Sequence, residues 1–434
     1  MTLLADFSLI NPRSITPLKA IGAACTIWLT FYLFAPIKLY AASSDYPYLL
    51  LGLCFAGLLF GLVLFEPRHR PPVSVDRDET FRTLRQLYEI TFILAALGIA
   101  MRLGDWVFLR GLTIDTEFMQ NREKIESAGA NALSMLSSVL VPFCLVPYMM
   151  HAVAKRNGMQ VGSSWKSIGL ATLWPLLTIV IGSRSSMFMS LGMLILSRLI
   201  IFPRTSKLIL IFCTLLAVGL VYVGGLLFIA RLEEIGLRVE SAIKLSAFTH
   251  LAPVTQEYFN FRSTLSIWGR DTLFIVTTFI QYYIHGVPEF AYLIEHYNNG
   301  LQHGSYTFTV FARLGYTLWG VPFDGNAALM VTPRPGIYTT LFGPLYVDFG
   351  PFVPVFCAIF GGLISWTRRQ VLLGEVAALP LYICFLMQVA SAVVINAIQS
   401  AYGVFYNLAF AALWVVAFAL SRRRVSAKRT EALA

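Results

Sequence analysis

Apolar runs of roughly 18 to 25 residues, each long enough to cross about 30 Å of hydrocarbon at about 1.5 Å per residue, recur from Leu18 to the C-terminal region. In lipid every backbone amide must find its partner within the protein, so such runs form helices or a closed barrel. A barrel strand alternates apolar and polar residues, whereas these runs are continuously apolar, which leaves helices. With 57% hydrophobic and 13% charged residues, the 434-residue chain is more apolar than soluble domains. The expected fold is an all-α, polytopic membrane bundle of about ten transmembrane helices.

Spans are expected near 18–40, 47–65, 87–109, 133–153, 167–182, 187–202, 208–230, 340–366, 376–396 and 402–420. The first run, Leu18 to Tyr40, is of spanning length with no small-residue cleavage site behind it, and is expected to be retained. The loop 66–86 carries Arg68, Arg70, Arg77, Arg82 and Arg85, the loop 154–166 carries Lys155, Arg156 and Lys166, and the tail carries Arg422, Arg423, Arg424, Lys428 and Arg429. By the positive-inside rule these segments are cytoplasmic, and Arg198, Arg204, Lys207, Arg368 and Arg369 fall on the same side in the ordered count. The net charge of +10 is therefore explained by topology. It forms no basic stripe with interleaved aromatics, so no nucleic-acid partner is expected. The six cysteines lie inside apolar runs without a CxxC pair, which argues against disulfides and thiolate metal sites.

This count divides the chain into an N-terminal bundle of seven spans (1–230), a large outer loop (231–339), and a C-terminal bundle of three spans with a basic tail (340–434). The loop is too long for a structureless connection and too aromatic to be disordered. Short helices are expected in it, an amphipathic or re-entrant one over Leu273–Ile284 and another near Glu289–Tyr297, followed by a non-helical run with Pro322, Pro333 and Pro335.

Arginines on the outer side gain nothing from the positive-inside bias. Arg122, Arg184, Arg231, Arg262, Arg270, Arg313 and Arg334 are such residues, and a guanidinium fork suits a phosphate or diphosphate at headgroup depth. The alternative for any one of them is a snorkelling side chain or a local ion pair. Arg238 follows Glu234 by one helical turn, which favours the local pair there. Arg184 stands in the short Gly-Ser-Arg-Ser-Ser turn at 182–186, so its charge must sit near the membrane surface and face a pocket or partner. Carboxylates outside the cytoplasmic loops include Asp115, Glu117, Glu257, Asp271, Glu289, Glu295, Asp324 and Asp348. Asp348, in Leu-Tyr-Val-Asp-Phe-Gly at the entry of a span, is either a helix cap ahead of Pro351 or an active-site group. His250, His285, His296 and His303 lack any spacing that unites them as a metal site.

From Tyr282 to Arg369 the chain reads Tyr-Tyr-Ile-His-Gly-Val-Pro-Glu-Phe, then His-Gly-Ser-Tyr-Thr-Phe-Thr-Val-Phe-Ala-Arg-Leu-Gly, then Gly-Ile-Tyr-Thr-Thr-Leu-Phe-Gly-Pro-Leu-Tyr-Val-Asp-Phe-Gly-Pro-Phe and Ile-Phe-Gly-Gly-Leu-Ile. This pattern, with Asn-Arg-Glu at 121–123 and the arginine turn at 182–186, resembles the Wzy-type O-antigen and oligosaccharide repeat-unit polymerases of bacterial cell envelopes. Pro351 is a departure that affects how the following helix starts. The resemblance implies a GT-C-like bundle in the inner membrane with a helical periplasmic loop. It also implies transfer of a growing glycan from undecaprenyl diphosphate to the non-reducing end of a lipid-linked repeat unit.

Such a reaction asks the protein to align two lipid-linked sugars, take a proton from the acceptor hydroxyl, and stabilise the departing diphosphate. Arginines do the last without a metal or other cofactor. On this reading Arg122, Arg184, Arg231 and Arg313, then Arg270 and Arg334, are the expected diphosphate ligands. Asp348 or Glu257 is the expected base with His303 in reserve, and Tyr282, Tyr306, Tyr338 and Trp319 offer faces for sugars or pack at the interface. A chain-length regulator is a possible further partner. The alternatives are an O-antigen ligase, a lipid-linked oligosaccharide flippase or other transporter, and a non-catalytic scaffold. A transporter calls for paired halves and charges deep in the spans, which this sequence does not show clearly.

Overall fold

The computed structural model describes residues 9–10, 15–66, 77–112, 121, 124–125, 131–180, 184–202, 206–234, 236–237, 239–399 and 401–431. Among these the chain is helical, with a single isolated bridge between Ile37 and Val254 in place of any strand. Among the described residues, six helical stretches are long and apolar enough to cross a membrane: Pro17–Phe34, Tyr46–Leu64, Asp78–Leu109, Ala132–Arg156, Lys207–Glu234 and Phe342–Leu372. Shorter apolar helices cover Met187–Ile201, Val376–Ala390 and Gly403–Ala419. The outward faces carry large apolar side chains such as Leu49, Phe60, Ile93, Leu208 and Phe212. Surface of this kind is stable against lipid and would drive aggregation in water.

A few helices start where a side chain accepts from one of their first amides. Thr16 accepts from Lys19 N at 3.3 Å and precedes Pro17 to open α1 (Pro17–Phe34). After α2 (Tyr46–Leu64) comes α3 (Arg77–Gly104), which ends in a π turn over Asp105–Leu109. Asn131 and Ser134 form a reciprocal capping box that opens α4 (Ala132–Leu140), joined by a 3₁₀ turn to α5 (Val146–Arg156). At the end of α3, buried Asp105 pairs with Arg110 at 2.8 Å and receives Asn131 at 2.6 Å, a closed network that braces the segment after the span. α6 (Ser164–Val180), α7 (Arg184–Ile201) and α8 (Lys207–Glu234) complete the N-terminal part.

The connecting segment folds as α9 (Val239–Leu245), α10 (Gln256–Ser263), α11 (Ile267–Ile284), α12 (Gly286–His296), α13 (Thr309–Trp319) and α14 (Gly325–Leu329). The two helices expected there are thus present and longer than the sequence suggested. The next span differs from the expected continuous helix over 340–366. It is a short α15 (Phe342–Phe349), a break at Gly350 with φ 56°, and α16 (Val353–Leu372), because Pro351 lacks the amide that would carry one helix through. α17 (Leu379–Ala390) and α18 (Ala401–Glu431) close the chain.

The tightest crossing joins α2 to α16. A Cβ built on Gly57 would lie 2.3 Å from the Pro354 carbonyl oxygen, one on Gly61 2.0 Å from that of Ala358, and one on Gly361 2.3 Å from that of Leu58. Only glycine lets the backbones meet this closely, which is the usual basis of helix association in lipid. Ser365 Oγ donates to Leu62 O at 2.6 Å, and Arg368 pairs with Glu66 at 2.7 Å. The order of these contacts makes the two helices parallel, so both begin on one side of the bundle, the side of the 239–341 segment. The α1–α2 connection lies there too. Lys38 N donates to Pro253 O at 2.9 Å and Tyr40 N to Leu251 O at 2.7 Å, while Glu295 accepts from Tyr40 Oη at 2.5 Å and Ser43 N at 2.6 Å.

Buried apolar residues gather in two main cores. The larger lies among α3–α7, α17 and α18, around Met149, Met193, Tyr382 and Phe410. The second lies among α2, α12, α15 and α16, around Leu58, Phe290, Phe342 and Ile364.

Candidate functional site

The site begins at the junction of α11 and α12, where one residue, His285, separates the helices. A Cβ on Gly286 would meet Val393 O at 2.6 Å and Val394 O at 2.8 Å, so glycine is required for α12 to rest on the 391–399 turn. That turn braces the surrounding chain. Leu341 N donates to Ala392 O at 2.8 Å, Asn396 Nδ2 to Leu341 O at 2.9 Å, and Gln399 Nε2 to Tyr306 O at 3.1 Å.

Asp348 holds the next component in place. It is fully buried, and its carboxylate receives Gly304 N at 2.9 Å, Tyr306 N at 3.0 Å and Thr307 N at 2.7 Å. His303 and Gly304 have φ of 49° and 93° in the turn that brings these amides onto one carboxylate, as turn conformations do in anion-binding nests. Asp348 therefore neither caps the following helix nor presents a lone pair to solvent. It anchors the 303–307 loop, a role that the sequence did not suggest.

The anchored loop, α12 and the 332–339 stretch enclose an open pocket of about 300 Å³, mouth included, with Glu289, Tyr292, Tyr306, Thr332 and Arg334 on its walls. In this state it has room for little more than water. Arg334 Nε lies 2.9 Å from Glu289 Oε2, its Nη2 donates to Ala247 O, and its guanidinium carbon sits 5.8 Å from the centre of the Tyr292 ring. The Glu289 side chain is 2% exposed, and its other oxygen, Oε1, has no hydrogen-bond partner among the described residues. Burial pushes this carboxyl up to about 7, against the opposing pull of Arg334. Burial likewise raises the Tyr306 phenol.

One turn before Glu289, the buried His285 ring joins the Tyr282 carbonyl through Nδ1 at 2.7 Å, and its Nε2 has no partner among the described residues. Burial lowers the imidazole to about 4, against the backbone contacts at Tyr282, Tyr338 and Gln281. Phe248 and Tyr282 lie 4.3 Å and 5.3 Å from it, centre to centre, and Tyr282 meets Tyr338 at 6.3 Å. On the far face of the first turn of α12, Val287 and Pro288 line a separate apolar groove of about 1030 Å³, open to the outside, with Trp28, Tyr32, Leu51 and Phe55.

Of the residues expected from sequence, Arg334 and Tyr306 line the pocket, Asp348 supports it, and Tyr282 and Tyr338 lie beside His285. Arg270 is engaged elsewhere, donating to Leu265 O at 3.0 Å and Ser263 O at 3.4 Å. Arg313 packs over Gly325 and ties α13 to α14. Glu257 and His303 are exposed, and Trp319, 76% exposed, ends α13. None of these five lines the pocket. Arg122 lies outside the described residues; Arg184 begins α7 and Arg231 lies in the last turn of α8, but their side chains fall outside what is described.

Glu289, Tyr292, Thr332 and His285 escaped selection from the sequence. A signal existed for Glu289: it sits among Pro288, Phe290, Ala291, Leu293 and Ile294, on the buried face of a short helix where an ionised carboxylate needs a partner. Comparison with models of known protein families, with curated proteins and with solved structures returns no match to this chain.

Proposed function

We propose that the chain is a membrane glycosyltransferase that polymerises lipid-linked oligosaccharide repeat units, moving a growing glycan from undecaprenyl diphosphate to the non-reducing end of an incoming unit. The observation that carries this reading is the pocket on the loop side, where a cation and a buried carboxylate meet beside the Tyr292 ring. Arg334 offers charge to a diphosphate, Glu289 is a carboxylate poised near neutrality, and Tyr306 and Tyr292 are stacking faces for sugars. The separate groove between α1, α2 and α12, on the other face of α12, has the apolar lining a polyprenyl chain needs. The reading further takes the bundle as GT-C-like with about ten crossings, sets it in a bacterial inner membrane, and turns the 231–339 loop to the periplasm. No metal is required, since guanidinium groups suffice to neutralise a lipid diphosphate. Arg122, Arg184 and Arg231 remain candidates for further diphosphate ligands.

The test is turnover by the purified protein in lipid nanodiscs supplied only with undecaprenyl-diphosphate-linked repeat units taken from the native host. A ladder of lipid-linked oligomers separates polymerase from ligase, which needs a lipid A core as acceptor, and from flippase or scaffold. Absence of any oligomer from active-host repeat units overturns the proposal.

A further inference from the structure

The Glu289–Arg334 contact leaves two facts that a simple structural ion pair does not require. One carboxylate oxygen of Glu289 is buried with no partner among the described residues, and both members of the pair lie on the wall of a pocket. A buried pair whose acid lacks its remaining hydrogen bonds gains little from ionisation. By contrast, the Asp105–Arg110 pair at the end of α3 has both carboxylate oxygens engaged and lines no cavity among those described.

We propose that this pocket is a proton-linked diphosphate site: Glu289 accepts a proton on Oε1, releases Arg334, and the freed guanidinium pairs with the diphosphate of a ligand. The proposal rests on the polymerase reading for its biological ligand, but its chemistry is separable from turnover. The groups facing Glu289 are Arg334 from the 332–339 stretch, Tyr306 from the anchored loop, Tyr292 from its own helix and His285 one turn earlier; α15 contributes only Pro344 to the pocket. His285, held neutral by burial, adds no positive charge near neutrality, so Arg334 is the cation that answers to the state of Glu289.

During glycan transfer the same exchange balances charge. Glu289 Oε1 already holds the proton taken up on donor binding, so as the acceptor O–H bond breaks its proton goes to water; the oxygen bonds to the anomeric carbon; the bond from that carbon to the diphosphate oxygen breaks, and its electron pair stays on the diphosphate. The leaving group then carries one more negative charge at the moment when Arg334 has lost its carboxylate partner. Loss of the proton from Glu289 to water resets the pair and helps expel the diphosphate.

The experiment is isothermal titration of geranyl diphosphate and, separately, inorganic pyrophosphate into the protein in phosphatidylcholine nanodiscs. Two buffers of different ionisation enthalpy give the protons taken up per ligand bound. Wild type is expected to take up close to one proton more than Glu289→Gln at pH 8, with the difference vanishing by pH 5.5; the subtraction removes the ligand's own titration. Glu289→Gln is expected to bind at least tenfold more tightly than wild type at pH 8, and Arg334→Ala at least tenfold more weakly than wild type. Linked uptake with either probe upholds the proposal, and the tighter probe tells a lipid-borne headgroup from a free anion. Equal proton counts in wild type and Glu289→Gln, or undiminished binding by Arg334→Ala, overturn it. Should Glu289→Gln fail to fold, the protonated-carboxyl infrared band of wild type must appear on ligand binding at pH 8, and its absence overturns the proposal equally. A protein that polymerises repeat units without this linkage sinks the proton-linked site alone, whereas linked binding without transfer sinks the polymerase.

Discussion

Replacing Asp348 by Asn separates an anchoring role from a catalytic one. Three backbone amides converge on the native carboxylate, two on Oδ1 and one on Oδ2. The Asn oxygen can keep Gly304 and Tyr306, but its NH₂ then faces the Thr307 amide, donor against donor. Hydrogen bonds to a charged group are worth about 1.5–3 kcal/mol each, and a buried amide left unsatisfied costs about 1–3 kcal/mol. Because the three bonds share one carboxylate their losses do not add, so about 3–5 kcal/mol is the expected cost to the loop. At about 1.4 kcal/mol per factor of ten, amide exchange over 302–308 should speed up by about a hundredfold or more, provided the loop opens locally. Hydrogen-exchange mass spectrometry in nanodiscs reads this directly. If exchange in the loop is unchanged while transfer collapses, Asp348 acts in the chemistry and the anchoring argument is wrong.

Gly61→Ala should force α2 and α16 apart, since its Cβ would sit 2.0 Å from Ala358 O; overpacking of this kind costs about 1–3 kcal/mol or more. Gly52→Ala, on the same helix with nothing within 4 Å, should leave thermal stability in detergent unchanged or slightly raised, and equal behaviour of the two variants refutes the glycine seam. His303→Gly relieves a left-handed residue, with a gain in loop stability of up to about 1 kcal/mol and no loss of transfer; loss of transfer would restore His303 as a proton acceptor. Glu289 holds its proton more tightly folded, near 7, than unfolded, so stability should fall as pH rises from about 4.5 to about 7, by at most about 1.4 kcal/mol per pH unit. Glu289→Gln should flatten that slope in pH-dependent melting, and an unaltered slope assigns the dependence to another group.

The bundle was legible because continuous apolar runs leave a chain few options in lipid, and the helices of the long loop followed from its aromatic content and proline placement. The break within the 340–366 run was legible only in Pro351, which points to a helix start there, while hydropathy alone runs one span through Gly350 and Pro351. Residue chemistry pointed to arginine and aromatic types, of which Arg334 and Tyr306 line the pocket. It could not tell which guanidinium groups local carbonyls would take, as happens to Arg270 five residues from Leu265. Asp348 drew attention as a carboxylate in an apolar setting, but its partners lie more than 40 residues earlier, and no local spacing reveals them. Glu289 was passed over because it resembled its fellow carboxylates until the neighbouring residues were seen to be buried.

The close seam between α2 and α16 joins residues as far as 303 apart, so it sets an order of events during biogenesis. When α2 enters the bilayer, the partner for its glycine face has yet to be translated, and that face must wait against lipid or a transient neighbour. A ribosome stall or a truncation ahead of Val353 would leave the hairpin of the first two helices with a bare small-residue stripe. Membrane quality-control proteases and insertion chaperones would be expected to meet the chain in that unfinished state.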